Sequence, residues 1–328
     1  MKRVFCVLVV CVLLLGLCMS FAGCEKNDFP EDLKEYLSPW ERDAIKEAVE
    51  TNTIHYYFMC GNGMIMSKTE SNPYKWGDAC LVVFPDGKTM LVDSGMKAYG
   101  PILVENLRRL NIKRLDYVVF SHQHNDHTHG ALREGGVFDN IEIGQVYWNG
   151  IINAAWKNFS MENECSKRGI PLQIIKRGDV LDFGVVKAEI LWPEEGMAGM
   201  TIEETQDLNN LSVVMRLDYK DHSSLFTGDL YEKGEQWLVQ KENDRLNVDL
   251  MKVCHHGHST SSSYAFVSKA SPQLAVATGF ALVKPDVWEV FENTGATLLD
   301  DQFYGYIHAV SDGTNLDYDT SVSREEKK

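Results

Sequence analysis

Six of the ten histidines fall in two short clusters. The first reads Ser121-His122-Gln123-His124-Asn125-Asp126-His127, and the second Cys254-His255-His256-Gly257-His258. Three imidazoles and a carboxylate packed this closely in sequence are costly neighbours unless they share a cation. Imidazole with carboxylate suits Zn2+, and Mn2+ or Fe accept the same donors. Two more segments deliver carboxylates, Leu91-Val92-Asp93-Ser94-Gly95 and Leu225-Phe226-Thr227-Gly228-Asp229. Each of the four follows an apolar run that reads as a strand, and strand ends are where distant side chains converge in a crevice. The chemistry such a set performs is hydrolysis. A bound metal lowers the pKa of water from 15.7 to roughly 7 and stabilises the charge that develops when hydroxide attacks phosphorus or carbonyl carbon.

The order VDSG, HxHxDH, TGD, HHG resembles the metallo-β-lactamase-fold hydrolase superfamily over about residues 78–313. Asn210-Leu211-Ser212 before the TGD, the run Lys252-Val253-Cys254-His255-His256-Gly257, and a closing GYIHAVSDG at 305–313 are similar to the metallohydrolase domain of the competence protein ComEC. Phosphorylcholine esterases are similar at HxHxDH and HHG. The resemblance implies an α/β fold, an αββα four-layer sandwich. It implies His122 and His124 on one metal, Asp126 and His127 on the other, and Asp229 as the bridge. The late histidine falls at the HHG: His256 is taken as ligand to the second metal and His255 as proton donor, the exchange of these two roles remaining open. Asp126 and His255 are thus the expected catalytic residues, and Asp93 supports the histidine loop.

One departure stands out. The superfamily commonly supplies a third histidine to the first metal upstream of the bridging aspartate, where this chain has Asn210 and Ser212, read as supporting residues. His222, near Asp229 in sequence, reads as an exposed turn residue. The first site is therefore one ligand short, which implies either one tightly held Zn2+ or a second ion held weakly and completed by substrate. His55 and His308 read as structural histidines in strands. Trp76, Trp148, Trp156 and Trp192 read as core side chains with a cleft lining as the other possibility.

The elements that must position these residues alternate strand and helix. A helix is expected over 39–50 behind a Ser38-Pro39-Trp40-Glu41 capping box. Strands are expected at 54–59, 64–68, 79–84 and 89–93, a helix at 100–111 and a buried strand at 115–120. Further on come a helix at 152–168, a loop at 193–209, and strands at 211–217, 223–227 and 249–254. No linker divides residues 50–313, so 38–328 reads as a single domain with its core at about 54–313.

The chain has 328 residues, and 44% hydrophobic with 24% charged residues match a soluble globular protein. Residues 1–24 carry Lys2 and Arg3, then an apolar run from Val4 to Met19, shorter than the ~20 residues a spanning helix needs. Phe21-Ala22-Gly23-Cys24 resembles a lipobox, implying a signal peptide over 1–23, a lipid on Cys24, and a tether over 24–37. A plain signal peptide or an uncleaved anchor are the alternatives, and all three place the body outside the cytoplasm. Among the remaining cysteines, Cys60, Cys80, Cys165 and Cys254 read as buried small hydrophobes, with a Cys60–Cys80 bridge as the other option. The net charge is -15, and loss of residues 1–23 removes Lys2 and Arg3 and no acid. Such a surface repels polyanions, so no strong nucleic-acid-binding surface and no obligate protein partner are expected. The expected substrate is a small or polymeric phosphodiester or related ester. Alternatives are a carbonyl substrate (lactone, thioester or β-lactam) or a non-catalytic binding lipoprotein.

Overall fold

The computed structural model describes residues 29–59, 77–156, 159–279 and 282–322. The export segment with Cys24, the expected strand at 64–68, Cys60 and Trp76 lie outside these residues.

Among the described residues, eight strands form one sheet in the order Leu316–Thr320, Ile307–Ser311, Ile54–Phe58, Cys80–Val83, Thr89–Val92, Arg114–Val119, Glu142–Trp148, Leu172–Ile174. Seven form a second, in the order Thr297–Asp300, Leu274–Ala277, Leu250–Lys252, His222–Phe226, Val214–Tyr219, Lys187–Trp192, Val180–Asp182. The strand period of two explains how they stack. In the first sheet Tyr57, Leu81, Val83 and Leu91 face a helical layer that includes Ile102, Leu103 and Leu107. Their neighbours Tyr56, Phe58, Val82 and Met90 face the second sheet and meet Met215, Leu217, Phe226 and Leu250. The far face of the second sheet, with Leu225, Met251 and Ala275, packs on Leu238, Phe266 and Phe291 from outer helices. Three apolar layers between four structural ones make the αββα sandwich. With both faces of each sheet covered at its centre, strands such as Cys80–Val83, Thr89–Val92 and Leu274–Ala277 are buried along their whole length, while the edge strand Leu316–Thr320 is largely exposed.

Parallel pairing puts the functional loops at one rim. Thr89–Val92, Arg114–Val119 and Glu142–Trp148 run parallel, as do His222–Phe226, Leu250–Lys252, Leu274–Ala277 and Thr297–Asp300. Asp93, the His122 loop, Asp229, the His255 pair and Thr278 therefore all follow the C-terminal ends of parallel strands, the usual position of sites in such sheets.

Three local expectations differ. The first helix is Ala44–Thr51, capped by Asp43, which accepts from Lys46 N at 3.0 Å. Ser38 does not cap it, because Trp40 is drawn into the core against Tyr57 and Tyr306. The helix expected over 152–168 is confined to Met161–Lys167. Ahead of it, Ile152–Asn153 pairs in parallel with Thr201–Ile202, so the loop expected over 193–209 carries a strand and the helix Thr205–Asn209. The edge strand Leu316–Thr320 continues the first sheet past residue 313. Cys80, Cys165 and Cys254 are buried and free. No helix among the described residues is long and apolar enough to cross a membrane.

Candidate metal centre

One carboxylate oxygen is the hub. Asp229 Oδ2 lies 3.2 Å from His127 Nε2, 3.3 Å from His256 Nε2, 3.9 Å from His122 Nε2 and 4.0 Å from His255 Nε2. On one side His122 Nε2 is 2.8 Å from His124 Nδ1. On the other, His256 Nε2 is 3.6 Å from Asp126 Oδ2. The structure thus gathers two groups around Asp229, His122 with His124 and His127 with His256, and Asp126 stands beside the second through His256.

The chain reaches this geometry by close approach of loops. Gly228 has φ 52°, and a Cβ there would lie 2.8 Å from Cβ of both Ser121 and Ser212, so only glycine lets the Asp229 turn pass the histidine loop. A Cβ on Gly279 would fall 2.7 Å from His256 Cβ. His255 and His256 both adopt the left-handed region, with φ 43° and 55°, a conformation that costs free energy outside glycine and is held by the surrounding contacts.

Behind the ligands a layer of hydrogen bonds fixes each ring. His127 Nδ1 is 2.9 Å from Asp93 Oδ2, and Asp93 also accepts from Ser121 N at 2.8 Å and Ser121 Oγ at 2.7 Å. His256 Nδ1 donates to the Thr278 carbonyl at 2.8 Å, which leaves Nε2 as its lone-pair nitrogen. His122 Nδ1 is near Ser121 Oγ and Ser212 Oγ, at 3.0 and 3.3 Å, and Ser212 Oγ accepts from Asp229 N at 3.1 Å. Asp93 and Ser212 thus hydrogen-bond the histidine loop and the Asp229 turn from behind.

Asp78 was not anticipated. It lies close enough to His127, Asp229 and His256 to join a cation site. Its oxygens, however, approach the Nδ1 atoms of His127 and His256, at 3.7 and 3.4 Å, which already face Asp93 and the Thr278 carbonyl. Asp78 therefore backs the ligands. Its own partners are the buried Lys252 ammonium and the Thr278 hydroxyl. Lys252 Nζ also donates to the Gly228 carbonyl at 3.1 Å and stands 3.9 Å from Asp229 Oδ1. A lysine in the otherwise apolar run Leu250–Val253 is the signal that betrays this pair.

The electrostatics divide the centre. Burial alone would raise Asp229, but the His127 and His256 imidazoles hold it well below the ordinary carboxylate range. Burial opposes protonation of His127 and His256, yet Asp229, joined by Asp93 at the first and Asp78 at the second, pushes both well above an ordinary histidine. His122 and His124 are pushed down, chiefly by burial, and stay neutral. Two fully buried atoms, His127 Nε2 and Asp229 Oδ1, have no hydrogen-bond partner. A native interior seldom leaves such atoms orphaned without an ion or water. Convergent imidazole and carboxylate donors with orphaned buried atoms fit a divalent metal of the Zn2+, Mn2+ or Fe2+ type.

The centre opens into a cavity of about 410 Å³ lined in part by His124, Asp126, Trp156, Glu203, Glu204 and His255, with no Lys or Arg among its described lining residues. His255 Nδ1 is 2.6 Å from Thr260 Oγ1, and burial pushes its pKa down to about 4. It is therefore a neutral imidazole at pH 7 rather than the protonated acid expected.

Two further expectations are corrected. Asn210 does not face the metal centre: its Oδ1 accepts from Gly234 N at 3.1 Å and its Nδ2 donates to Gln206 O at 3.0 Å, so it pins the helix Glu232–Lys241. The residue that lines the cavity is its neighbour Asn209. His222 is buried, not exposed. It sits between the sheets, 3.2 Å from Tyr56 Oη, because the strand it opens is covered on both faces. His55 and His308 are structural as expected. Trp148 is core, Trp156 lines the cavity, and Trp192 packs on Trp237.

Comparison with known proteins gives a consistent picture. The sequence profile described as the metallo-beta-lactamase superfamily matches residues 76–277. The chain is 29% identical over 215 residues to competence protein ComA of Neisseria gonorrhoeae, covering 65% of this chain and 27% of that protein. It is 27% identical over 177 residues to ComE operon protein 3 of Bacillus subtilis, covering 53% of this chain and 21% of that one. The aligned part is thus about a quarter of the length of these relatives. Among solved structures, the metallo-beta-lactamase fold protein YhfI of Bacillus subtilis superimposes with a TM-score of 0.49 at 14% identity, over 75% of this chain and 95% of that one.

Proposed function

The chain belongs to the metallo-beta-lactamase superfamily, and from that premise we propose that it is a metal-dependent hydrolase of a small phosphodiester or related ester. The observation that carries this reading is the convergence of His122, His127 and His256 on one oxygen of Asp229. A divalent ion held there would make water nucleophilic at neutral pH and polarise the ester oxygen, and a pair of ions about a shared ligand suits in-line displacement at phosphorus. The protein's own part is positional. Asp93 and the Thr278 carbonyl hold the ligand rings, while Lys252 and Asp78 balance charge beneath them. The neutral His255 ring, with Nδ1 2.6 Å from Thr260 Oγ1, would position the leaving-group oxygen at the cavity wall by a hydrogen bond, the leaving group taking its proton from solvent.

The carboxylates Glu203 and Glu204 on the cavity wall disfavour flanking phosphates, which supports a small substrate over long nucleic acid. The site of action in this reading is outside the cytoplasm, with the chain tethered through a lipid on Cys24. Cys24→Ala should then release the protein from the membrane fraction.

The assay is metal-loaded protein with bis-p-nitrophenyl phosphate, single-stranded DNA, a lactone and a chromogenic cephalosporin. Metal-dependent turnover of the phosphodiester is expected. Turnover of the cephalosporin alone would overturn the reading.

A further inference from the structure

The half-site built on His122 and His124 has three protein donors within reach: His122 Nε2, His124 Nδ1 and Asp229 Oδ2. Divalent metals of this class take at least four ligands. Asn209 lines the cavity onto which this half-site opens. Its side chain is 1% exposed, it lines the same cavity as His124 and Asp229, and its Oδ1 has no hydrogen-bond partner. An amide oxygen buried without a partner costs on the order of 1–3 kcal/mol unless something else fills its lone pairs.

The backbone at Asn209 is fixed rather than mobile. It ends the helix Thr205–Asn209, and its carbonyl accepts from Ser212 N at 3.0 Å. The next residue is tied down by Gly234 N on its side chain and by Trp192 Nε1 on its carbonyl, at 3.1 and 2.7 Å.

Resting on the metal-dependent reading above, we propose that Asn209 Oδ1 is the missing protein ligand of the first half-site, which would then hold a divalent cation through two imidazoles, the shared carboxylate and an amide oxygen. Replacing an imidazole by a carbonyl oxygen makes the donor set harder. Carbonyl and carboxylate oxygens suit Mn2+, whereas a third imidazole would favour Zn2+. The first half-site therefore takes Mn2+ or a similar ion and releases it more readily than the second, which has two imidazoles and two carboxylates.

The test is binding of metal without substrate. The full chain is stripped with chelator and titrated calorimetrically with Mn2+ and with Zn2+, beside Asn209→Ala, Asn209→Asp and Asn209→His, with thermal unfolding of each metal-free protein as the control for folding. Two Mn2+ ions should bind the wild-type chain with unequal affinity. Asn209→Ala should weaken the weaker ion at least about tenfold and leave the stronger unchanged, since even outer partners of metal ligands cost 10–100-fold. Asn209→Asp, nearly the same shape, should retain two ions, and Asn209→His should raise the preference of the weaker site for Zn2+ over Mn2+. Wild-type affinities at both sites in a folded Asn209→Ala protein would overturn the assignment while leaving the hydrolase reading intact. Failure of the wild-type chain to bind any ion would remove both.

Discussion

Two groups of buried histidines in this chain behave in opposite ways. His55 and His308 lie on adjacent strands, with His55 Nδ1 3.0 Å from His308 Nε2 and His55 Nε2 2.7 Å from Thr53 Oγ1. His308 stacks on Tyr57, ring centroids 4.2 Å apart, and no described carboxylate reaches ion-pair distance of either ring. Burial then dominates and pushes the two pKa values down to about 4 and about 3. His127 and His256 are buried as completely, but Asp229, Asp93 and Asp78 surround them and turn the balance toward the charged form. Burial of histidine is thus no sign of a metal site. The sign is a ring of carboxylates whose charge the imidazoles must share, and that ring attracts a cation once the protons leave.

The contrast breaks most sharply at Asp229. Asp229→Asn removes the charge both half-sites share, so metal-dependent phosphodiester turnover should fall by more than about 100-fold, beyond what outer-layer changes cost. Elemental analysis should also find the bound ions depleted, and full retention of metal would contradict the hub assignment. Asp93→Asn acts one layer out, on the orientation of His127. Its metal affinity, read by competition with a chelator, should fall by about 10–100-fold, and an unchanged value would make Asp93 a purely structural residue.

The smallest effect lies at the other histidine group. His55 and His308 have folded pKa values below the ordinary 6.5, so the unfolded chain binds protons they refuse. The stability they contribute is present above pH 6.5 and is lost as pH falls toward about 4 and about 3. Denaturant melts of His308→Phe should show a shallower acid slope, by at most about 1.4 kcal/mol per pH unit, with metal stoichiometry unchanged. An identical slope would show that this pair does not titrate as described.

The layered fold and most of the centre were legible because they rest on short, local signals. Apolar runs ending in Asp or His marked the strand ends, and HxHxDH, TGD and HHG marked the residues that gather around Asp229. What escaped depends on contacts between distant segments. Asp78 is one acid beside a strand, and only the fold brings Lys252 and Thr278 to it. Asn209 and Asn210 are adjacent and chemically identical, and the turn after Thr205–Asn209 alone decides which faces the cavity. His222 looked like a turn residue because it opens a strand after a polar loop, yet the opposing sheet covers it with Tyr56. The helix expected over 152–168 failed because Asn153 is claimed by the metal loop, its N bonding Gln123 Oε1 at 2.7 Å and its Nδ2 bonding Gln123 O at 3.0 Å.

Anomalous diffraction from crystals of the Mn2+-loaded chain addresses the shared-ligand geometry directly. Two peaks should flank Asp229 Oδ2, one beside His122 Nε2 and His124 Nδ1, the other beside His127 Nε2, His256 Nε2 and Asp126. Peaks that leave Asp229 outside their coordination shells, or no ordered ion at this rim, would contradict it.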